Sequence, residues 1–97
     1  MSPLGERLPK FRVGTGWTEV EITSEPYVVL TMKGYVPAVR VKSLRNGLEY
    51  EMFISAKSLA EGLEPMRREK EHFNGVQFRV RKESTEQYAK YMVESLM

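Results

Sequence analysis

The chain has 97 residues, 41% of them hydrophobic and 29% charged, which fits one hydrophobic core and excludes both a disordered polymer and a membrane-embedded chain. Fifteen Lys and Arg face 13 acids, all of them Glu, for a net charge of +2; this permits a polyanionic partner without requiring one and excludes aspartate-dependent chemistry. With no Cys and a single His, His72, there is no disulfide framework, thiol nucleophile, thiolate zinc site or multi-histidine centre, and neither metal nor other cofactor is expected.

Residues 1–16 hold two Pro and three Gly without a steady period and read as a flexible N-terminal segment preceding one domain over 17–97. From Trp17 the pattern alternates: Thr18, Val20 and Ile22 share one strand face, and Trp17, Glu19 and Glu21 share the other. Ser24-Glu25-Pro26 interrupts this pattern, and Tyr27 to Met32 resumes it in β-branched and aromatic residues, as a bend in one long strand or as a turn. On this alternation Val20, Ile22, Val28 and Leu30 face inward.

After Lys33-Gly34-Tyr35-Val36-Pro37, a turn-rich connection, Ala38 to Leu44 alternates again. Asn46-Gly47 is the strongest short hairpin signal in the chain, since both residues tolerate positive φ. A two-residue loop there places Lys42 opposite Glu51, Val41 opposite Met52 and Arg40 opposite Phe53. Val39, Val41, Tyr50, Met52 and Ile54 then share the inner face; Arg40, Lys42, Glu51 and Phe53 share the outer one.

At Ser55, an expected N-cap, the period changes to that of a helix, with Ala56, Leu59, Ala60 and Leu63 on one stripe. Gly62 weakens the helix, and Pro65 is expected to end or kink it near Glu64, leaving 66–71 as a short charged extension. Val76 to Lys82 reads as a strand with Val76, Phe78 and Val80 inward and Gln77, Arg79 and Arg81 outward. The last segment carries two patterns: a helical stripe of Tyr88, Tyr91, Met92 and Ser95, and a strand alternation of Ala89, Tyr91 and Val93.

The order of a long bent strand, a tight hairpin, a helix and one further strand with a return strand resembles the oligonucleotide/oligosaccharide-binding (OB) fold. The resemblance covers residues 17–96 and rests on this order and on Leu48 to Lys82, where Phe53-Ile54-Ser55-Ala56-Lys57-Ser58-Leu59 runs from strand into helix. It implies a mainly β fold, a five-stranded Greek-key barrel with one helix between strands three and four, whose closure requires 88–95 to be a strand. It further implies single-stranded nucleic acid, DNA favoured over RNA, as partner. The binding surface would comprise Arg40, Lys42 and Phe53 on the hairpin face, Lys33 and Tyr35 in the first loop, and Arg79, Arg81 and Lys82 leading into the second. Trp17 is a further stacking candidate, since cations track phosphates and rings stack on bases.

Each residue has a plainer competing role: Lys42 as an ion pair with Glu51, Phe53 as a cross-strand cation–π partner of Arg40 or a ring covered by the N-terminal segment, Arg79, Arg81 and Lys82 as the solvated face of a strand, Tyr35 as a local lid, Trp17 as an edge anchor. The competing function is a protein-interaction or oligomerisation subunit that docks through an open edge strand or the Phe53 face. An enzyme is not expected, because Ser and Lys nucleophiles stand without an evident base and no glycine-rich phosphate loop is present. The scarcity of Asn and Gln beside 28 charged residues matches thermophile composition. No apolar run of roughly 18 residues and no signal-like start are present, so a cytoplasmic location and no membrane partner are expected.

Overall fold

The computed structural model describes residues 8–86 and 88–96. Six strands, β1 (Thr18–Ile22), β2 (Tyr27–Thr31), β3 (Gly34–Ser43), β4 (Glu49–Phe53), β5 (Gln77–Lys82) and β6 (Tyr91–Ser95), form one antiparallel sheet, and the helix α1 (Lys57–Lys70) lies between β4 and β5. Among the described residues no helix is long and apolar enough to cross a membrane.

β3 organises the sheet. One of its edges pairs with β2 through Val28↔Pro37 and Leu30↔Tyr35, and farther along with β1 through Ile22↔Val41 and Val20↔Ser43. β1 and β2 therefore lie end to end as two halves of one bent path. At the joint, the Thr23 N–H donates to the Arg40 carbonyl at 2.8 Å and the Arg40 N–H donates to Ser24 Oγ at 3.0 Å, so backbone groups stay paired through the bend. Glu25 anchors the joint from outside by accepting the N–H groups of Asn74 at 2.8 Å and Phe73 at 3.2 Å. Those two donors, Asn74 first, hold its carboxyl below the usual carboxylate range.

β4 pairs with the other edge of β3, β5 pairs with the far edge of β1, and β6 pairs with β5. The result differs from the expected five-stranded closed barrel in two respects. The bend divides the first strand in two, making six, and the sheet does not close, because β4 and β6 do not pair. The outer edge of β4 is instead taken by the opening segment: the Phe11 N–H donates to the Glu51 carbonyl and the Glu51 N–H to the Pro9 carbonyl, both at 2.8 Å. Farther along, the Lys82 N–H donates to the Gly14 carbonyl at 2.7 Å, so residues 9–14 run from β4 to the end of β5. Phe11 is buried in the core and meets Tyr50 edge-on at 5.8 Å. Residues 1–7 of the segment read from sequence as flexible lie outside the described residues.

The core joins Phe11 to Val20, Ile22, Val39, Val41, Met52, Phe78 and Val80 from the sheet, and to Leu59, Leu63 and Met66 from α1. At roughly 1.5–3 kcal/mol per large buried side chain, these contacts are the main favourable term. Residues 91–95 form the strand that competed with a helical reading.

Three local expectations are corrected. The β3–β4 loop has five residues, Leu44 to Leu48, closed by Gly47 N–H to Ser43 O at 2.8 Å and by Leu48 N–H to Asn46 Oδ1 at 2.9 Å. Gly47 takes φ +74°, a conformation available to Gly at no steric cost. The register therefore moves by two: Arg40 lies opposite Glu51, Lys42 opposite Glu49, Val41 opposite Tyr50, and Phe53 opposite Ala38. An even shift leaves every side chain on its expected face.

Val28 and Leu30 are not core residues but stand about two-thirds exposed (66% and 65%). They share a face with Tyr35 and Pro37, on a hairpin arm where, among the described residues, β2 has β3 as its one strand neighbour. Finally, α1 starts after Ala56, not Ser55, with no side-chain cap, and continues through Pro65 to Lys70. Beyond the proline it is held by buried Met66 and by Glu64, which accepts from Arg67 Nε at 3.0 Å and Arg68 Nε at 3.2 Å.

Gly62 brings the helix close to β6: a Cβ there would lie 2.9 Å from Val93 Cβ and 3.0 Å from Cγ2. Gly62→Ala is expected to destabilise the protein by about 1–3 kcal/mol through overpacking, although alanine favours an isolated helix by about 1 kcal/mol. Adding Val93→Ala should recover part of the loss in denaturant unfolding. A stabilised single variant would contradict this packing.

Candidate functional site

Period-two alternation turns Glu49, Glu51 and Phe53 on β4, Arg40 and Lys42 on β3, Glu19 and Glu21 on β1, Arg79 and Arg81 on β5, and Glu94 on β6 to the outer side of the sheet. Because β1 separates β3 from β5, the cations are interleaved with glutamates. Lys42 lies between Glu49 and Glu21 in register, and Arg40 lies opposite Glu51. Arg79 lies opposite both Glu19 and Glu94, and hydrogen-bonds Glu94 through Nε at 2.8 Å and through Nη2. Trp17 is outward and 37% exposed, but its ring carries the Arg79 guanidinium at 4.3 Å and that of Arg81 at 5.2 Å. Trp17 is thus engaged by Arg79 and Arg81, and Arg79 by Glu94; Lys42 faces Glu49 and Glu21 and not the expected Glu51, and the cation over Phe53 is Lys10 and not Arg40.

Glu51 itself is 7% exposed and accepts a 2.8 Å hydrogen bond from the Tyr27 hydroxyl, with Arg40 on the same hydroxyl. Burial first, then the neighbouring Glu51 carboxylate, pushes the Tyr27 hydroxyl up to about 12. This part-buried polar cluster fastens the root of the β2–β3 arm to β4.

The arm and the end of β4 enclose a groove of about 410 Å3 lined by Lys10, Thr31, Met32, Lys33, Val36, Phe53 and Ser55. Met32 and Lys33 form the two-residue turn between paired Thr31 and Gly34, and Thr31 Oγ1 accepts the Lys33 N–H at 3.2 Å. Lys10 Nζ lies 5.1 Å from the Phe53 ring centroid. Among the described residues no carboxylate lines this groove. It brings together two of the sequence candidates, Lys33 and Phe53. Tyr35 is not among its lining residues; it lies in β3, not in a loop, pairs with Leu30 on the arm's apolar face and is 75% exposed.

Lys82 stands apart from the outer face. Its Nζ lies 5.6 Å from the Tyr91 ring centroid, and with Tyr91, Lys10 and Arg12 it lines a narrower groove over the opening segment. Lys10, Arg12 and Tyr91 were not among the residues singled out from sequence. The alternation Lys10-Phe11-Arg12-Val13 is the signal that places both cations on one side and Phe11 on the other.

Among the described residues no cluster of His, Asp or Glu could hold a metal ion. No family model matches the chain, and no curated protein or solved structure matches it.

The Tyr27 hydroxyl is held protonated above its ordinary value, so its contact contributes stability in full below about pH 10 and loses it as pH rises through about 12. Ultraviolet titration should show one tyrosine ionising near pH 12 that is missing from Tyr27→Phe. That variant should lose about 1 kcal/mol at neutral pH; no loss and no late-ionising tyrosine would contradict the cluster.

Proposed function

We propose that the protein is a sequence-tolerant single-stranded nucleic-acid-binding module with an OB-like fold, and not an enzyme. The observation that carries this reading is the arm groove, where Lys10 Nζ lies over the Phe53 ring, Lys33 lines the same groove, and no carboxylate is among the described lining residues. Cations attract successive phosphates and a ring between them stacks a base, a pairing that every base can satisfy. The fold supports the same reading: counted as one bent strand, β1–β2 followed by β3, β4, α1, β5 and β6 has the OB element order. Lys33 and Phe53 are its principal contacts. Arg40, Lys42, Arg79, Arg81 and Trp17 form a flanking surface whose charges are already balanced.

A second reading is favoured by one observation, the arm's exposed face of Val28, Leu30, Tyr35 and Pro37, with fully exposed Met32 at the tip. Such a face suits docking of another protein or a second copy. Binding through it would be nearly indifferent to salt and abolished by Leu30→Lys.

The discriminating experiment is anisotropy titration of a fluorescent oligo(dT) at low and moderate salt. Phe53→Ala is expected to weaken binding about 5- to 150-fold, the loss of one stacked base. Lys33→Ala should lower the magnitude of the salt slope by about 0.7. Lys42→Ala, set between two glutamates, should change affinity less than twofold. No binding at low salt, or equal affinity in all variants, would reject the reading.

A further inference from the structure

The arm groove does not end at Lys10. Lys10 also lines the narrower groove over the opening segment, with Arg12, Lys82 and Tyr91. Tyr91 in turn forms one wall of a third cleft, about 500 Å3, between the start of α1 and the segment Tyr88–Tyr91. Shared residues thus join three depressions into one path from the arm tip to the helix. Its two walls are tied together by a specific contact, the Tyr91 N–H donating to Ser58 Oγ at 3.0 Å. Lys57 and Lys90 line it from opposite sides, and Tyr88 stands over it 88% exposed.

The charge along this path is one-sided. Lys33, Lys10, Arg12, Lys82, Lys90 and Lys57 line it, and among the described residues Glu61 is the one carboxylate lining the three depressions. Among the described residues six cations but one acid therefore share a track, whereas the outer sheet face mixes the two signs nearly evenly. Aromatic rings recur along it as Phe53, Tyr91 and Tyr88. Cations spaced between rings suit a polymer with a charge and a flat apolar group in every unit, and suit a small anion less well.

We propose that the cleft of Lys57, Tyr88 and Lys90 is a second subsite for the same single strand, reached along Lys10, Arg12 and Lys82, with Tyr88 stacking a base and the two lysines holding its flanking phosphates. The inference rests on the single-strand-binding reading above and extends it to the length and direction of the bound strand. Short strands fill only the arm groove; longer ones occupy both ends.

The test compares oligo(dT) of about 4 and about 14 nucleotides, near the two ends of the usual site sizes of such folds, in wild type, Phe53→Ala, Tyr88→Ala and Lys57→Ala/Lys90→Ala. The mutated side chains of the last two variants are exposed, and far-ultraviolet circular dichroism should confirm an unchanged fold. The expected result is that Phe53→Ala weakens both strands, while Tyr88→Ala and the double lysine variant weaken the longer strand at least fivefold and the shorter one less than twofold. Unchanged long-strand affinity in both cleft variants, with Phe53→Ala still deleterious, would overturn the second subsite and leave the arm groove standing. Equal loss for both lengths would place the cleft in the primary site and overturn the two-ended path. Insensitivity of both lengths to all variants would reject the single-strand reading itself.

Discussion

The opening segment's attachment to the outer edge of β4 is the constraint on which the rest of the molecule depends. An unpaired β4 edge would expose a row of backbone donors and acceptors and leave the core open between β4 and β6. Two hydrogen bonds between Glu51 and residues 9 and 11 occupy that edge, and Phe11 fills the space behind it against Tyr50. The alternation that drives Phe11 inward turns Lys10 and Arg12 outward. One short extended stretch therefore contributes to the core, covers an edge and supplies two cations of the proposed binding track.

Charge placement distinguishes the two sides of the molecule more sharply than composition does. On the outer sheet face, antiparallel pairing sets lysines and arginines opposite glutamates: Lys42 with Glu49 and Glu21, Arg79 with Glu19 and Glu94. Such neighbours cancel over distances comparable to the screening length in salt, so that face presents little net field to a polyanion. Along the grooves the cations come from the opening segment, the arm turn, the end of β5 and the start of α1. Segments distant in sequence thus converge on one region with little opposing charge.

Much of the sheet was legible in the sequence because strand periodicity has only two phases. The β3–β4 register moved by two positions, and yet Arg40 and Phe53 remain on the expected face, since an even shift cannot turn a side chain over. Long-range placement was not legible. Alternation assigns Val28 and Leu30 to the same face as Val39 and Val41, but it carries no information on whether the body of the protein extends beneath them. Glu19 and Glu21 read as outward from the start; that they lie between the β3 and β5 cations depends on β1 pairing with both strands, a property of topology. Of the candidate site, Lys33 and Phe53 converge, while Lys10, Arg12 and Tyr88 went unmarked because a Pro- and Gly-rich opening and an ambiguous C-terminal segment masked their alternation. The helix outran its expected end because burial of Met66 and the Glu64–Arg67 and Glu64–Arg68 contacts offset the hydrogen bond that Pro65 cannot make.

Both the fold and the proposed binding track therefore hang on a segment whose composition alone suggests a loose end. Native-state amide hydrogen exchange measures its attachment residue by residue. The amides of Phe11 and Glu51 should exchange as slowly as those in the centre of β3, and Lys82, bonded to the Gly14 carbonyl, should be protected with them. Exchange of Phe11 and Glu51 at the rate of an unstructured chain, with β3 still protected, would contradict the account.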